Sequence, residues 1–92
     1  MKKKLVNTLK KFIETTNERR LAEHLRKFGS SDGYETFTAY RVSKDTKISL
    51  NTIYYLCNEE DKIPSEKTLK KICEFYLAQP SELLSLVDDL DV

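Results

Sequence analysis

The sequence predicts an all-α protein, a compact bundle of five to six helices in which one pair forms a helix-turn-helix. Three observations carry this. Apolar residues recur at i, i+3, i+4 and i+7 along most of the chain. Only two glycines and two prolines punctuate 92 residues, so few points force an element to end. Residues Thr38 to Asn58 divide into two short apolar-periodic segments around a tight turn. A chain of this length supports one helical core. We therefore expect a single domain over 1–92, with N-terminal helices over 1–28, the helix-turn-helix over 38–58 and C-terminal helices over 65–90.

From Lys3 to Thr15, Leu5, Leu9, Phe12 and Ile13 make one apolar stripe, with Lys2, Lys3, Lys4, Lys10 and Lys11 on the other face. Glu14 to Arg20 contains no apolar residue. Either the helix breaks there, with Thr15 or Thr16 capping the next one, or it continues as a polar belt; the pattern leaves both open. Leu21, Ala22, Leu25 and Phe28 form a second stripe that ends at Gly29. His24 is the sole histidine and reads as a partly buried structural residue. Gly29 to Glu35 has turn chemistry, and Tyr34 and Phe37 are expected to pin that loop to the core.

Thr38 to Thr46 reads as the first motif helix, Lys47-Ile48 as the turn, and the second helix starts after Ser49. Thr38 and Ser49 place a short side-chain oxygen where a helix start needs an acceptor. Val42, Ile48, Ile53 and Leu56 point inward, and Ser43 is small where the helices cross. Leu50, Asn51, Thr52, Tyr54 and Tyr55 remain outside, uncharged and hydrogen-bonding or flat, as suits the reading of base edges. For Tyr54 and Tyr55, half-buried packing is the competing role. Ser65 to Leu77 is a helix preceded by Pro64 and capped by Ser65, with Leu69, Ile72, Cys73 and Tyr76 inward. Ser81 is expected to cap a last short helix. Leu83, Leu84, Leu86, Val87 and Leu90 exceed what that helix needs. Either some of them form a dimer interface, or Leu83, Leu84 and Val87 fill the core while Leu90 frays.

The formal net charge is only +1, so any nucleic-acid surface must be local. Most lysines and arginines lie before residue 48, and the end of the chain, Asp88-Asp89-Leu90-Asp91, is acidic. No apolar run is long enough to span a membrane, and the N-terminus lacks the apolar stretch of a signal peptide, so we expect a cytoplasmic protein. Cys57 and Cys73 read as small core residues. There is no glycine-rich phosphate loop, no metal-ligand set and no nucleophile–base pair, so no catalytic residue, metal or cofactor is assigned.

The run Val42-Ser-Lys-Asp-Thr-Lys-Ile-Ser-Leu-Asn-Thr-Ile-Tyr-Tyr-Leu-Cys-Asn58, followed by Ile63-Pro64-Ser65, Thr68-Leu69 and Ile72-Cys73, resembles the phage repressor/Cro (XRE) family. The resemblance covers about Thr38 to Leu84. It implies a repressor-like domain that binds double-stranded DNA as a transcriptional regulator, with the recognition helix at about 50–58 in the major groove. By position, Ser49, Leu50, Asn51 and Tyr55 fall where the family meets bases or adjacent phosphates, with Thr52 and Tyr54 on the same helix. Thr38, Ala39 and Tyr40 open a helix whose N-terminus would hold a phosphate. Lys44, Lys47 and Lys62 are candidate phosphate contacts, and a homodimer would suit palindromic half-sites. Two departures stand out: Lys47 replaces the turn glycine, and Glu59-Glu60-Asp61 replaces basic residues. The resemblance leaves room for an antitoxin-like regulator with a toxin partner. It also leaves room for a protein-interaction module on the same scaffold.

Overall fold

In the computed structural model, which describes residues 2–89, the two ends of the chain pair with each other. The order is β1 (Lys3–Asn7), α1 (Leu9–Phe28), α2 (Ala39–Thr46), α3 (Leu50–Asn58), α4 (Glu66–Tyr76), a single 3-10 turn (Pro80–Glu82) and β2 (Leu84–Asp88). The fold is mostly helical but not all-α. Four α-helices and a two-stranded antiparallel sheet stand in place of the expected five- to six-helix bundle.

Both departures lie at the chain ends and have one cause. Residues expected to begin the first helix form β1, and those expected to form the last helix form β2. Lys3 pairs with Asp88, Leu5 with Leu86 and Asn7 with Leu84. Lys3 of β1 forms an ion pair with Asp88 of β2 across the strands. Next to the sheet, the Thr8 N–H donates to the Leu83 carbonyl at 2.8 Å, and the Thr8 hydroxyl donates to the Glu82 carbonyl at 3.0 Å. A two-stranded sheet is marginal alone, and these bonds tie it to the helical body.

α1 runs unbroken through the polar segment, so Thr15 and Thr16 are interior rather than caps, and Thr16 is buried. Gly29 ends the helix at φ 77°, its N–H donating to the Leu25 carbonyl at 2.7 Å. Only the first half of α1 is packed. Farther along, Leu25 is 42% and Phe28 64% exposed. The loop behind it is tethered as expected. Asn17 Oδ1 accepts from the Tyr34 hydroxyl at 2.6 Å and from the Phe37 N–H at 2.9 Å. Phe37 is buried beneath the Arg20 guanidinium. His24 is half-buried, its Nε2 2.8 Å from the Asp32 carbonyl oxygen.

The core is one cluster: Leu9 and Ile13 of α1, Phe37, Val42 of α2, Ile48, Ile53 and Leu56 of α3, Ile72 of α4, and Leu83. Ser65 caps α4 by accepting from the Thr68 N–H at 3.2 Å. Leu77 then takes the left-handed conformation at φ 55°. Gln79, not Ser81, opens the following turn, its N–H bonded to the Glu82 carboxylate at 2.7 Å. Of the surplus apolar residues, Leu83 is buried and Leu84 half-buried, while Leu86 and Val87 are exposed. Leu90 lies outside the described residues. Cys57 and Cys73 are free thiols packed beside the core, and burial pushes both upward in pKa.

Candidate nucleic-acid interface

The turn between α2 and α3 is built by hydroxyls rather than by glycine. The Ser43 hydroxyl donates to the Ile48 carbonyl at 2.6 Å, and the Thr46 hydroxyl donates to the Val42 carbonyl at 2.6 Å. Lys47 adopts φ 64°, ψ 20°, the left-handed conformation, and its N–H donates to the Ser43 carbonyl at 2.9 Å. That conformation costs a residue with a Cβ about 1 kcal/mol. Burial of Val42 and Ile48 on either side offsets it.

With Ile53 and Leu56 buried, Asn51, Thr52, Tyr54, Tyr55 and Asn58 lie on the exposed surface of α3. At about 100° per residue, Asn51 and Tyr55 stand near the middle of that surface, with Thr52 and Tyr54 on opposite flanks. The two tyrosines therefore differ. Tyr54 lines an open groove with Phe37, Thr38, Ala39 and Cys57, edged by Lys10 and Glu14 of α1, whereas Tyr55 faces outward. Leu50 is half-buried, as is Ala39, while Tyr40 is exposed.

Thr38 and Ser49 occupy the expected positions before α2 and α3, but neither side chain bonds its helix's N–H groups. Their hydroxyls and the first N–H groups of both helices are left for an outside acceptor. Ser65, by contrast, closes its own helix. Lys44, Lys47 and Lys62 are exposed, and none forms an ion pair among the described residues.

Arg41 is different. Its Nε lies 3.1 Å from Asp45 Oδ1, and one terminal nitrogen lies 3.2 Å from Glu35. The bond to Asp45 holds the guanidinium pKa above its ordinary value. Asp45 also accepts from the Tyr76 hydroxyl at 2.9 Å. Burial, and then that bond, push the Tyr76 phenol upward. Sequence reasoning missed this network, although the i, i+4 spacing of Arg41 and Asp45 carried half of it.

It also missed Asn7. This buried side chain sets Nδ2 3.0 Å from the Leu56 carbonyl oxygen, 3.0 Å from that of Glu59 and 2.7 Å from that of Lys62. Its backbone N–H donates to the Glu60 carbonyl at 2.8 Å. The acidic loop is thus held against β1 by its backbone, and Asp61 pairs with Lys4 at 3.4 Å. The loop leaves the C-terminal end of α3. A helix of this length rises about 13 Å. The backbone of Glu59 therefore lies about 12 Å along the helix axis from Asn51 but about one turn from Tyr55.

No helix of the described residues is long and apolar enough to cross a membrane. Residues 35–89 match the family model of the Cro/C1-type helix-turn-helix DNA-binding domain, a span that begins before α2 and includes β2. No curated protein and no solved structure matches the chain.

Proposed function

The chain belongs to the Cro/C1-type helix-turn-helix DNA-binding family, and from that premise we propose that it is a sequence-specific transcriptional regulator reading operator DNA with α3 in the major groove. One observation carries the reading. The exposed surface of α3 is uncharged and rich in hydrogen-bonding groups, and it adjoins two helix N-termini that their own cap residues leave open.

The division of labour follows. Thr38, the N–H groups at Ala39 and Tyr40, and the hydroxyl of Ser49 hold phosphates, which fix register but carry no sequence information. Lys44, Lys47 and Lys62 add charge. Asn51, Thr52 and Tyr55 meet base edges, while Leu50 and Tyr54 contribute from the flanks. Residues 1–92 act as one binding unit. Two copies bind together, joined through the sheet, where Leu5 and Leu86 oppose each other and are both exposed. A two-fold axis would then match two half-sites.

A second reading has one observation in its favour. Leu25 and Phe28 near the C-terminal end of α1 are exposed apolar side chains that a protein partner, such as a toxin or another regulator, would cover.

The deciding experiment is selection from a random duplex library, followed by binding across a salt series. An enriched palindrome whose affinity falls steeply with salt supports the operator-binding dimer. No enrichment and no salt-dependent binding would sink it and leave the partner-binding reading.

A further inference from the structure

We infer that the base pairs read by α3 are A·T pairs. The inference deepens the operator-binding reading and rests on it. In the major groove guanine offers two acceptors, which Arg and Lys satisfy best. Adenine offers a donor beside an acceptor, which an amide matches, and thymine adds a methyl group.

The sequence of α3, Leu-Asn-Thr-Ile-Tyr-Tyr-Leu-Cys-Asn, contains no Arg, Lys, Asp or Glu. Asn51 is central on its exposed surface, and its amide makes no hydrogen bond among the described residues. It supplies the paired donor and acceptor that adenine needs. Thr52 and the Tyr55 ring supply apolar contact for thymine methyl groups; their hydroxyls can bond either base pair, so Asn51 carries the discrimination.

The cations nearby belong to other elements. Lys44 is on α2, Lys47 is in the turn, Lys62 lies beyond the far end of α3, and Lys10 of α1 lines the groove at the Tyr54 and Asn58 flank. Arg41, the one arginine of the motif, is held by Asp45 and Glu35. Charge therefore lies on the elements around α3, and no side chain of α3 itself carries it.

The test uses the full chain and the duplex selected from a random library. Expected is a half-site with A·T at the read pairs. Replacing one adenine by 7-deazaadenine, or one thymine by uracil, should weaken binding roughly tenfold or more at the contacted positions. Methylating guanine N7 within the half-site should leave binding intact. Asn51→Arg should move the preference at its pair towards G·C.

A selected half-site with G·C at the read pairs, whose N7 methylation blocks binding, overturns the inference while the DNA-binding reading stands. An A·T site indifferent to both base analogues also overturns it, since DNA shape would then be what is read. If no duplex is enriched, the inference and the operator-binding reading fall together.

Discussion

The side-chain amide of Asn7, in the first strand, lies 2.7 Å from the carbonyl oxygen of Lys62, in the loop beyond the third helix. One amide thus reaches across most of the chain and also meets the carbonyls of Leu56 and Glu59. It closes the C-terminal end of α3, where carbonyls lack helical partners. It does so from a strand whose own partner is the last strand of the fold. The course of the acidic loop is therefore tied to the first strand, while Ile53 and Leu56 seat α3 in the core.

Asn7→Ala would take a partner from the buried Leu56 carbonyl, the part-buried Lys62 carbonyl and the buried Leu9 N–H, while the Glu59 carbonyl keeps the Lys62 N–H. We expect about 2–3 kcal/mol of lost stability, since each unmet group costs more than a hydrogen bond contributes. Urea denaturation measures this. A loss under about 0.5 kcal/mol would show that water replaces the amide and that the clamp is not structural.

The helix-turn-helix was legible in the sequence because its determinants are local. Val42, Ile48, Ile53 and Leu56 lie within one motif, and all four are buried as their spacing predicts. The N-terminal strand was not legible. Leu5 and Leu9 stand four residues apart, which fits a helix as well as a strand followed by a helix. What decides between them is pairing with Leu84–Asp88, far along the chain. Asn7 was invisible for the same reason. Within the candidate site, side-chain types on α3 could be assigned to its outer face. The open N-termini of α2 and α3 could not, because a threonine before a helix looks the same whether or not it caps.

Asn51→Ala removes an exposed side chain with no internal partner, so the fold should be unaffected. Discrimination between operator and scrambled duplex should fall by about 1–3 kcal/mol. Competition binding with the two duplexes measures it. Unchanged preference would remove Asn51 from the base-reading set.

Lys44→Ala should weaken binding to every duplex alike. The slope of log affinity against log salt should become shallower by about 0.9 for one lost phosphate contact. A salt titration of both proteins on the same duplex checks this. An unaltered slope would place Lys44 off the DNA.

Tyr76→Phe keeps the ring, which packs against Phe12, Phe37 and Phe75, and deletes the bond to Asp45. We expect a loss of about 1 kcal/mol near neutral pH. Its pH dependence has a definite sign. The folded state raises the Tyr76 pKa above the ordinary value of 10.0, so above that pH the unfolded chain gives up its proton first. The tyrosine's contribution is complete below that pH and declines above it. The gap between wild type and Tyr76→Phe should therefore narrow as pH rises beyond the ordinary tyrosine value. A gap that holds or widens there would contradict the burial and hydrogen bonding assigned to this phenol.

Lys47 and Leu77 are the two non-glycine residues with positive φ among the described residues, at 64° and 55°. Glycine adopts this conformation without the Cβ clash, although it enlarges the freedom of the unfolded chain. Each replacement by glycine should stabilise the fold by about 0.5 kcal/mol net or less. Leu77 is 89% exposed, so its side chain gives up almost no buried contact. Leu77→Gly should therefore raise the denaturation midpoint and leave DNA affinity alone. Lys47→Gly should raise the midpoint as well, yet weaken binding and reduce the salt slope by about 0.9, because it discards a charge beside α3. The pair separates conformation from contact. Should both variants be destabilised, left-handed strain is not what these positions carry. Should Lys47→Gly bind with an unchanged slope, the turn lysine serves the fold's surface and not the phosphate backbone.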